Sequence, residues 1–412
     1  MHENDVSLDE NVRRQLEETG DVDILVGVLC KNVEATILHV LNTVSEGLHT
    51  YFPEYRTAIA VTDGFSEDRT LDLAELFKPH NGIAKIITRD MTPGGKGAGV
   101  RTIMEIAHEL DAKSLVMVDG DLLSIKPTWL QEFSYPVLCG RAELIVPYYI
   151  RDKYDGVITN ILAYPFTRAL YGQDIRQPLA GEFGMSQELY ETLRRHPLFP
   201  YDFGIDVFIV TTAAAEHMRI REGIYSLKIH ESTTRYLEPE ELLVPMFRQV
   251  TGQMFELADF YRDVWRNRCN DGGHYGHKEF FTQNPVPVNL DLQRLACSFR
   301  QEFPLHRNRL RSMLPSRLVD RLDRCMDDLD QFDAELWAES VYSLAIAYRQ
   351  AESRDEKTAI LEATKALWFG RFVSYAHETA DMDMDEAEAV IQHQARVFDD
   401  IFEEYMLPPQ DT

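Results

Sequence analysis

Two aspartates, Asp119 and Asp121, follow a short apolar run and are separated by a single glycine. The run, residues 115–118, is typical of a buried strand in a parallel sheet, and such sheets place ligands at the carboxyl ends of their strands. Because residues i and i+2 of an extended segment face the same way, both carboxylates can address one point. Hard oxygen ligands of this kind suit Mg²⁺ or Mn²⁺. The pattern therefore predicts a divalent-cation site, although Asp-Gly-Asp is equally ordinary turn chemistry.

A glycine-rich basic turn precedes these aspartates in the chain. It occupies residues 92–99 and contains Lys96 next to Gly97. Small residues allow the backbone to approach a ligand closely, a predicted helix begins here, and the lysine adds positive charge, so a phosphate is the natural ligand. The spacing matches neither a P-loop nor the dinucleotide fingerprint. A plain loop that begins a helix is the alternative interpretation.

A histidine, His230, ends a candidate strand far from the aspartates in the sequence. Its imidazole could complete a three-ligand metal site in which phosphate oxygens take other positions. The chain has 13 histidines, and a surface or capping role is the alternative for any one of them.

Two segments, residues 177–184 and 201–207, set carboxylates among aromatic residues and glycines. Glu182 belongs to the first segment, and Asp202 and Asp206 belong to the second. Carboxylates in such surroundings can hold sugar hydroxyls by hydrogen bonds while an aromatic face packs on the ring. Turns and a helix cap are the competing interpretation.

Four basic residues stand out in the same half of an acidic chain: Arg151, Lys153, Arg168 and Arg176. Arginine forks match the oxygens of carboxylates and phosphates, which predicts an anionic acceptor. For each residue taken singly, a salt bridge to the acidic surface is the alternative.

Length and charge exclude several classes of protein. The chain has 412 residues, enough for two domains, and 68 acidic against 42 basic residues give a formal net charge of −26. General affinity for nucleic acid or an anionic membrane is therefore disfavoured. The five cysteines are scattered without a Cys-x-x-Cys pair, which argues against a disulfide framework or a zinc site. The acidic start does not resemble a signal peptide, and no run approaches the ~20 apolar residues of a membrane span, so we expect a cytoplasmic protein.

Apolar runs alternate with helical patterns through the first third of the chain. Strands are predicted at residues 23–29, 57–61, 84–88, 115–118 and 144–149, and helices at about 69–77 and 99–110. This alternation predicts an α/β fold with a doubly wound, mostly parallel, Rossmann-like sheet.

The last part of the chain is predicted to be mainly helical. Periodic apolar positions occur at residues 242–265, 305–329 and 336–351. We therefore expect a helical lead-in at residues 1–21, a catalytic domain at 22–240 and a helical region at 241–412. The amphipathic faces of that region could pair to form a homodimer.

The order of these segments resembles nucleotide-sugar-dependent glycosyltransferases of the GT-A fold. Within that fold the chain is most similar to the retaining enzymes that make glucosyl-3-phosphoglycerate and mannosylglycerate. The resemblance covers about residues 22–240 and rests on residues 93–97, 119–121, 177–182 and 202–206 as an ordered set. Residues 146–160 look closer to the phosphoglycerate-using branch. Pro147 stands where mannosylglycerate synthases have an arginine, so the anchor of the acceptor can differ.

The resemblance implies a retaining, metal-dependent hexosyltransferase with a DxD motif. Its donor would be UDP-, GDP- or ADP-glucose, with UDP-glucose the first expectation, and its acceptor would be 3-phosphoglycerate or glycerate. The product, glucosyl-3-phosphoglycerate, would serve compatible-solute synthesis. In a retaining enzyme of this kind the departing phosphate can accept the proton of the attacking hydroxyl, so the two carboxylates of a glycosidase are not required.

The resemblance also implies a role for individual residues. Mg²⁺ or Mn²⁺ would be bound by Asp121, His230 and Asp119. The nucleotide sugar would be bound by Leu29, Lys31, Glu34, Asp63, Lys96, Gly97, Asp119 and Gly120. The catalytic residues would be Leu179, Glu182, Asp202 and Asp206, with Glu182 and Asp206 holding the donor sugar. The acceptor would be bound by Arg151, Lys153 and Arg168.

Three other functions stay open from the sequence. The first is a related GT-A enzyme, either a mannosylglycerate synthase or an inverting transferase with Asp202 as general base. The second is a nucleotidyltransferase, whose glycine-rich turn should follow the first strand rather than the third. The third is a binding protein without catalytic activity.

Overall fold

The computed structural model describes residues 8–230, 239–267 and 284–407. Its contacts divide the chain into two compact units. The first comprises residues up to 150 together with the segment that starts at Leu179, and the second comprises 151–178 together with the C-terminal helices. Residues 151–178 thus group with the helical part, whereas the sequence places them in the catalytic domain. The boundaries 1–21, 22–240 and 241–412 stay a prediction of domain organisation.

The first unit is built on one seven-stranded sheet. Its strands are β1 Ile24–Cys30, β2 Thr57–Asp63, β3 Ile83–Arg89, β4 Ser114–Asp119, β5 Leu144–Ile150, β6 Phe183–Ser186 and β7 Ile220–Leu227. The order across the sheet is β3-β2-β1-β4-β6-β5-β7. All pairs are parallel except those of β6, which is antiparallel to both β4 and β5. The consecutive residues Leu25 and Val26 of the interior strand β1 point to opposite faces and neither has exposed surface, as expected for a sheet covered on both faces.

Helices accompany these strands in the first unit. They are α1 Glu10–Thr19, α2 Ile37–Tyr51, α3 Thr70–Leu76, α4 Lys96–Glu109, α5 Pro127–Leu138, α7 Gln187–Arg194 and α8 Ile205–Ala215. The apolar face of α2 buries Val40, Leu41 and Val44 completely, at the spacing expected of an amphipathic helix.

All regular secondary structure in the described residues of the second unit is helical. Its helices are α6 Tyr164–Tyr171, α9 Pro239–Phe260, α10 Arg262–Arg266, α11 Leu292–Met313, α12 Ser316–Cys325, α13 Ala334–Gln350, α14 Arg354–Glu378 and α15 Met384–Met406, with a π-helical turn at Thr159–Ala163 and a 3₁₀ turn at Leu329–Gln331. Aromatic residues form much of its core. Trp368 stacks on Phe247 with ring centroids 4.7 Å apart, and Trp337 donates a 2.6 Å hydrogen bond to the carbonyl oxygen of Ile161.

The predicted fold class, a mostly parallel α/β sheet with a helical C-terminal part, is confirmed. The periodic segment 305–329 contains the end of one helix and the whole of another, because α11 ends at Met313 and α12 begins at Ser316. Pro315 lies between them, and since proline has no N–H it cannot continue the hydrogen-bonding pattern of α11. None of the helices in the described ranges is long and apolar enough to cross a membrane.

Candidate active site

The carboxyl ends of β1 and β4 mark the place where this sheet is expected to bind a ligand. β2 and β3 extend the sheet on one side of β1, whereas β4 and the later strands extend it on the other. Open α/β sheets bind ligands in the crevice outside the strand ends at such a reversal of strand order. Leu29 on β1 pairs with Asp119, the last residue of β4. Both predicted site residues therefore lie at that crevice.

Asp121 and His230 lie side by side although they are far apart in the chain. The N–H of Leu123 donates a 2.8 Å hydrogen bond to the carbonyl oxygen of Ile229, and Leu122 forms an antiparallel bridge with His230. This short pairing places Nδ1 of His230 3.6 Å from Oδ2 of Asp121. The two side chains retain 16 % and 19 % of their surface, so a ligand can reach both.

Asp121 and His230 could bind a cation whose remaining coordination positions are filled by water or by a substrate. Asp121 supplies an oxygen and His230 a nitrogen, but the described residues contain no group of three or more His, Cys, Asp or Glu side chains that could hold a metal ion. Mg²⁺ is commonly bound by one or two carboxylates plus water and substrate phosphates. The arrangement therefore suits a cation that arrives with, or is completed by, a phosphate ligand.

Lys96, the first residue of α4, meets two of the predicted carboxylates. Its Nζ atom lies 3.0 Å from Oδ1 of Asp119 and 3.3 Å from Oδ1 of Asp206, and it donates a 3.1 Å hydrogen bond to the carbonyl oxygen of Gly181. Asp119 is thus bound to an ammonium group in this structure. A lysine at this position puts positive charge beside the predicted cation site.

A second lysine, Lys228, reaches the same turn from the end of β7. Its Nζ atom donates hydrogen bonds to the carbonyl oxygen of Ala180, at 2.7 Å, and to the carboxylate of Glu182, at 2.9 Å. Gly181 lies between the two ammonium groups with a φ of +96°, a region that side chains rarely adopt. A Cβ atom on Gly181 would lie 2.8 Å from Nζ of Lys228 and 3.0 Å from Oδ2 of Asp119. Only glycine allows these groups to converge.

Glu182 is completely buried at the start of the segment that leads into β6. Its Oε2 atom accepts hydrogen bonds from Lys228 and from the hydroxyl of Tyr149, at 2.8 Å, and its Oε1 atom accepts a longer one from Lys228, at 3.2 Å. Nζ of Lys228 also lies 5.1 Å from the centroid of the Tyr149 ring, within the range of a cation–π contact. Glu182, Lys228 and Tyr149 therefore form one connected group.

Burial and neighbouring charges shift the titration of these groups. Burial raises the pKa of Glu182, and the ammonium of Lys228 opposes that rise. Burial also raises the pKa of Asp206, against the effect of Lys96. Burial alone would lower the pKa of Lys96, but Asp119, Asp206 and Glu182 together raise it above its ordinary value. Lys96 is consequently charged at neutral pH.

The glycine-rich turn makes its close contacts with protein backbone. The N–H of Gly95 donates to the carbonyl oxygen of Tyr201 at 2.8 Å, and that of Gly97 donates to the carbonyl oxygen of Asp202 at 3.2 Å. A Cβ atom on Gly97 would lie 2.2 Å from the carbonyl oxygen of Pro200. Packing on residues 200–202 thus explains the glycines at these two positions, whereas from the sequence we expect a bound phosphate to explain them.

The residues predicted to line a nucleoside pocket lie on the loops after β1 and β2. Asp63 ends β2, is completely buried and accepts a 3.0 Å hydrogen bond from the N–H of Ser66. Glu34 accepts a 3.0 Å hydrogen bond from the N–H of Arg69, immediately before α3. Lys31 is exposed beside the loop that follows β2. Glu34 and Asp63 therefore organise the two loops, and their contact with a nucleoside stays a prediction.

Three further predicted residues lie in or beside turns of the site. The N–H of Gly120 donates a 2.8 Å hydrogen bond to the carbonyl oxygen of Leu29, which fixes the turn after β4 on the end of β1. Oδ1 of Asp202 accepts a 2.8 Å hydrogen bond from the N–H of Gly204, a local turn contact. Leu179 is half-buried and directly precedes the turn between the two lysines.

The predicted acceptor residues Arg151, Lys153 and Arg168 belong to the second unit. Nζ of Lys153 donates to the carbonyl oxygens of Thr379, at 2.5 Å, and Met382, at 2.7 Å, just beyond the C-terminus of α14. Nη2 of Arg168 lies 3.0 Å from Oδ2 of Asp399 on α15. Arg151 is half-buried. These contacts stabilise the helical unit, and a role for the three residues in binding an acceptor stays a prediction.

Lys228 and Tyr149 were not identified from the sequence. One signal for Lys228 was present, since it lies two residues before His230 and alternate residues of an extended segment share a face. Tyr149 had no local signal. Its contact with Glu182 depends on the folded position of β5, which the sequence places in the sheet without indicating its neighbours.

No family model matches the chain, and no curated protein matches it. Among solved structures it is similar to glucosyl-3-phosphoglycerate synthase from Mycobacterium tuberculosis in complex with Mn²⁺, UDP and glucosyl-3-phosphoglycerate, with 21 % sequence identity and a TM-score of 0.47. The match covers 63 % of this chain and 86 % of that one.

Two other complexes of the mycobacterial enzyme show the same level of similarity. The complex with Mn²⁺, UDP-glucose and phosphoglyceric acid has 22 % identity and a TM-score of 0.47, over 70 % of this chain and 94 % of that one. The complex with Mg²⁺ and UDP has 20 % identity and a TM-score of 0.46, over 61 % of this chain and 85 % of that one.

Proposed function

We propose that this protein is a retaining glycosyltransferase that uses a divalent cation to transfer glucose from a nucleotide sugar to 3-phosphoglycerate. The resemblance of the ordered segments suggests this donor and acceptor. The single observation that carries the proposal is the pairing of Asp121 with His230 at the point where the strand order reverses. Lys96 contacts Asp119, two residues before Asp121, and Lys228 lies at the adjoining Gly181 turn, so two ammonium groups can contribute positive charge to a diphosphate site.

The chemistry of the leaving group follows from these charges. Departure of a nucleoside diphosphate leaves negative charge on its terminal phosphate, and preorganised positive groups stabilise such charge most effectively in a partly buried site. Lys96 and Lys228 are positive groups of this kind, because their side chains are only 13 % and 6 % exposed. A bound Mg²⁺ or Mn²⁺, held by Asp121 and His230, would supply Lewis-acid stabilisation of the same charge.

Glu182 is a poor candidate for the nucleophile of a covalent mechanism. A retaining glycosidase places one carboxylate as nucleophile and another as acid, about 5 Å apart and both open to the sugar. Glu182 has no exposed surface and is bound by Lys228 and Tyr149. Attack by the acceptor hydroxyl on the face of the departing phosphate, which takes the proton, is the mechanism that fits these contacts.

The inverting alternative needs a general base, for which the sequence offered Asp202. In the structure one oxygen of Asp202 accepts the N–H of Gly204, and the peptide carbonyl accepts that of Gly97. These contacts favour a structural role for Asp202. A nucleotidyltransferase is also disfavoured, because the glycine-rich turn follows β3 and packs on residues 200–202.

The proposal is tested by product analysis. The full chain is incubated with Mg²⁺ or Mn²⁺, with UDP-, GDP- and ADP-glucose and GDP-mannose as donors, and with 3-phosphoglycerate or glycerate as acceptor. We expect a glucosylated phosphoglycerate by mass and the donor's anomeric configuration by NMR coupling. Asp119→Ala and Asp121→Ala variants should fold but lose metal-dependent transfer. Inversion, or the absence of product with every pair, would contradict the proposal.

A further inference from the structure

Glu182 is a poor candidate for direct contact with a sugar. Both of its carboxylate oxygens accept hydrogen bonds from within the first unit, and the side chain has no exposed surface. An ionised carboxylate has about four acceptor positions. Lys228 and Tyr149 take three of them, with the ammonium donating to both oxygens.

Lys228 is the member of this group that a ligand can reach. Its three donors are directed at Ala180 and at both oxygens of Glu182, so a phosphate would replace the longest of these hydrogen bonds, the 3.2 Å one to Oε1. Its side chain retains 6 % exposure, whereas that of Glu182 retains none. Its Nζ atom lies 2.8 Å from the point where a Cβ atom of Gly181 would be, and Oδ2 of Asp119 lies 3.0 Å from that point. The ammonium therefore lies at the edge of the proposed diphosphate site.

Tyr149 contacts both members of the ion pair. Its hydroxyl donates to Oε2 of Glu182, and its ring faces the ammonium of Lys228. The tyrosine is itself only 1 % exposed and packs against Trp129, with ring centroids 5.5 Å apart. Its position is therefore set by packing in the core of the sheet.

We infer that Glu182 and Tyr149 are positioning residues that hold the Lys228 ammonium against the diphosphate of the donor, and that Glu182 does not bind the sugar. This inference rests on the proposed function. In this account, Lys228, Glu182 and Tyr149 contribute to binding the diphosphate of the donor and not its sugar. Loss of Glu182 should therefore weaken the binding of a nucleoside diphosphate that carries no sugar.

Calorimetry on the full chain distinguishes the two roles. UDP, GDP and ADP are each titrated with Mn²⁺, and so are UDP-, GDP- and ADP-glucose. For a nucleotide that the wild type binds, Glu182→Gln should lower the affinity for the nucleoside diphosphate and the affinity for its glucose conjugate by the same factor. That factor should be about tenfold, the size expected when a hydrogen bond to a charged group is lost. Tyr149→Phe should lower both affinities by about threefold, since it removes one hydrogen bond and keeps the ring.

The matched control is Tyr190→Phe. The hydroxyl of Tyr190 is also buried and donates to the carbonyl oxygens of Ala107 and Ala112, away from the lysines. This variant should bind both ligands as the wild type does. The inference would be overturned if Glu182→Gln lowered the affinity for the glucose conjugate alone, or if Tyr149→Phe bound both ligands as tightly as Tyr190→Phe does. Either result would leave the proposed function intact. Failure of the wild type to bind any of the nucleotides would overturn both.

Discussion

Gly97 lies so close to Pro200 that a Cβ atom added to it would be 2.2 Å from the carbonyl oxygen of Pro200. The glycine-rich turn is therefore held by a neighbouring protein segment before any ligand binds. This contact sets the position of α4 and of Lys96, its first residue.

Replacement of Gly97 by alanine should destabilise the protein without any ligand present. The new methyl group would force backbone atoms apart, at a cost of about 1–3 kcal/mol. The free energy of unfolding in urea measures this, with Gly223→Ala on β7 as the control. A Cβ atom on Gly223 meets only an ordinary contact, 3.6 Å from the side chain of Ile145. Unchanged stability of Gly97→Ala, with loss confined to nucleotide binding, would restore the phosphate interpretation of this glycine.

Replacement of Gly181 by alanine should abolish most of the activity. The methyl group would displace the ammonium of Lys228 or the carboxylate of Asp119, and misplacement of a reacting group by about 1 Å can cost a hundredfold in rate. Gly82 has a similar φ of +89° but nothing within 4 Å of its Cβ position. Gly82→Ala therefore carries the same backbone strain, about 1–3 kcal/mol, without disturbing the site. Equal turnover by the two variants would show that the convergence on Gly181 is unimportant.

The pairing of β5 with β7 should depend on pH through Glu143. Arg219, just before β7, donates hydrogen bonds to Glu143 from its N–H and from Nε, and these lower the pKa of the carboxyl. A lowered pKa in the folded state contributes stability above the unfolded value, about 4.3, and that contribution is lost as pH falls through the folded value.

Glu143→Gln should accordingly lower the melting temperature at pH 7, and the difference from wild type should shrink towards zero below pH about 4. Glu46→Gln, an exposed change on α2, is the control with the same loss of charge. A difference that persisted undiminished in acid would show that the carboxylate form of Glu143 is not what stabilises the start of β7.

The alternation of strands and helices could be predicted because each element carries a local signal. The predicted strand at residues 57–61 lies within Thr57–Asp63, and that at 84–88 lies within Ile83–Arg89. The strand Phe183–Ser186 was not predicted. It is four residues long and contains a glycine, so no periodic pattern marks it, and its place between β4 and β5 is set by tertiary pairing.

The site itself could be predicted only in part. Asp119, Asp121 and Lys96 follow strands or open a helix, and such positions are visible in the sequence. Lys228 and Tyr149 meet Glu182 through long-range contacts that no local pattern indicates. Lys153 is the opposite case, in which the sequence suggested a ligand contact and the structure shows a contact within the protein. Its charge suggested an anionic acceptor, but in the structure its ammonium binds carbonyl oxygens at the end of α14, a favourable place for a cation.

The central claim is that Asp121 and His230 together hold the cation that binds the donor's diphosphate. It is tested most directly by titrating UDP, GDP and ADP into wild type, His230→Ala and the exposed-surface control His393→Ala, in Mn²⁺ and in EDTA. We expect wild type and His393→Ala to bind one of these nucleotides in Mn²⁺ and to lose more than about tenfold in affinity in EDTA, whereas His230→Ala binds weakly in both. Wild-type affinity of His230→Ala in Mn²⁺, or equal binding by the wild type with and without the metal, would contradict the claim.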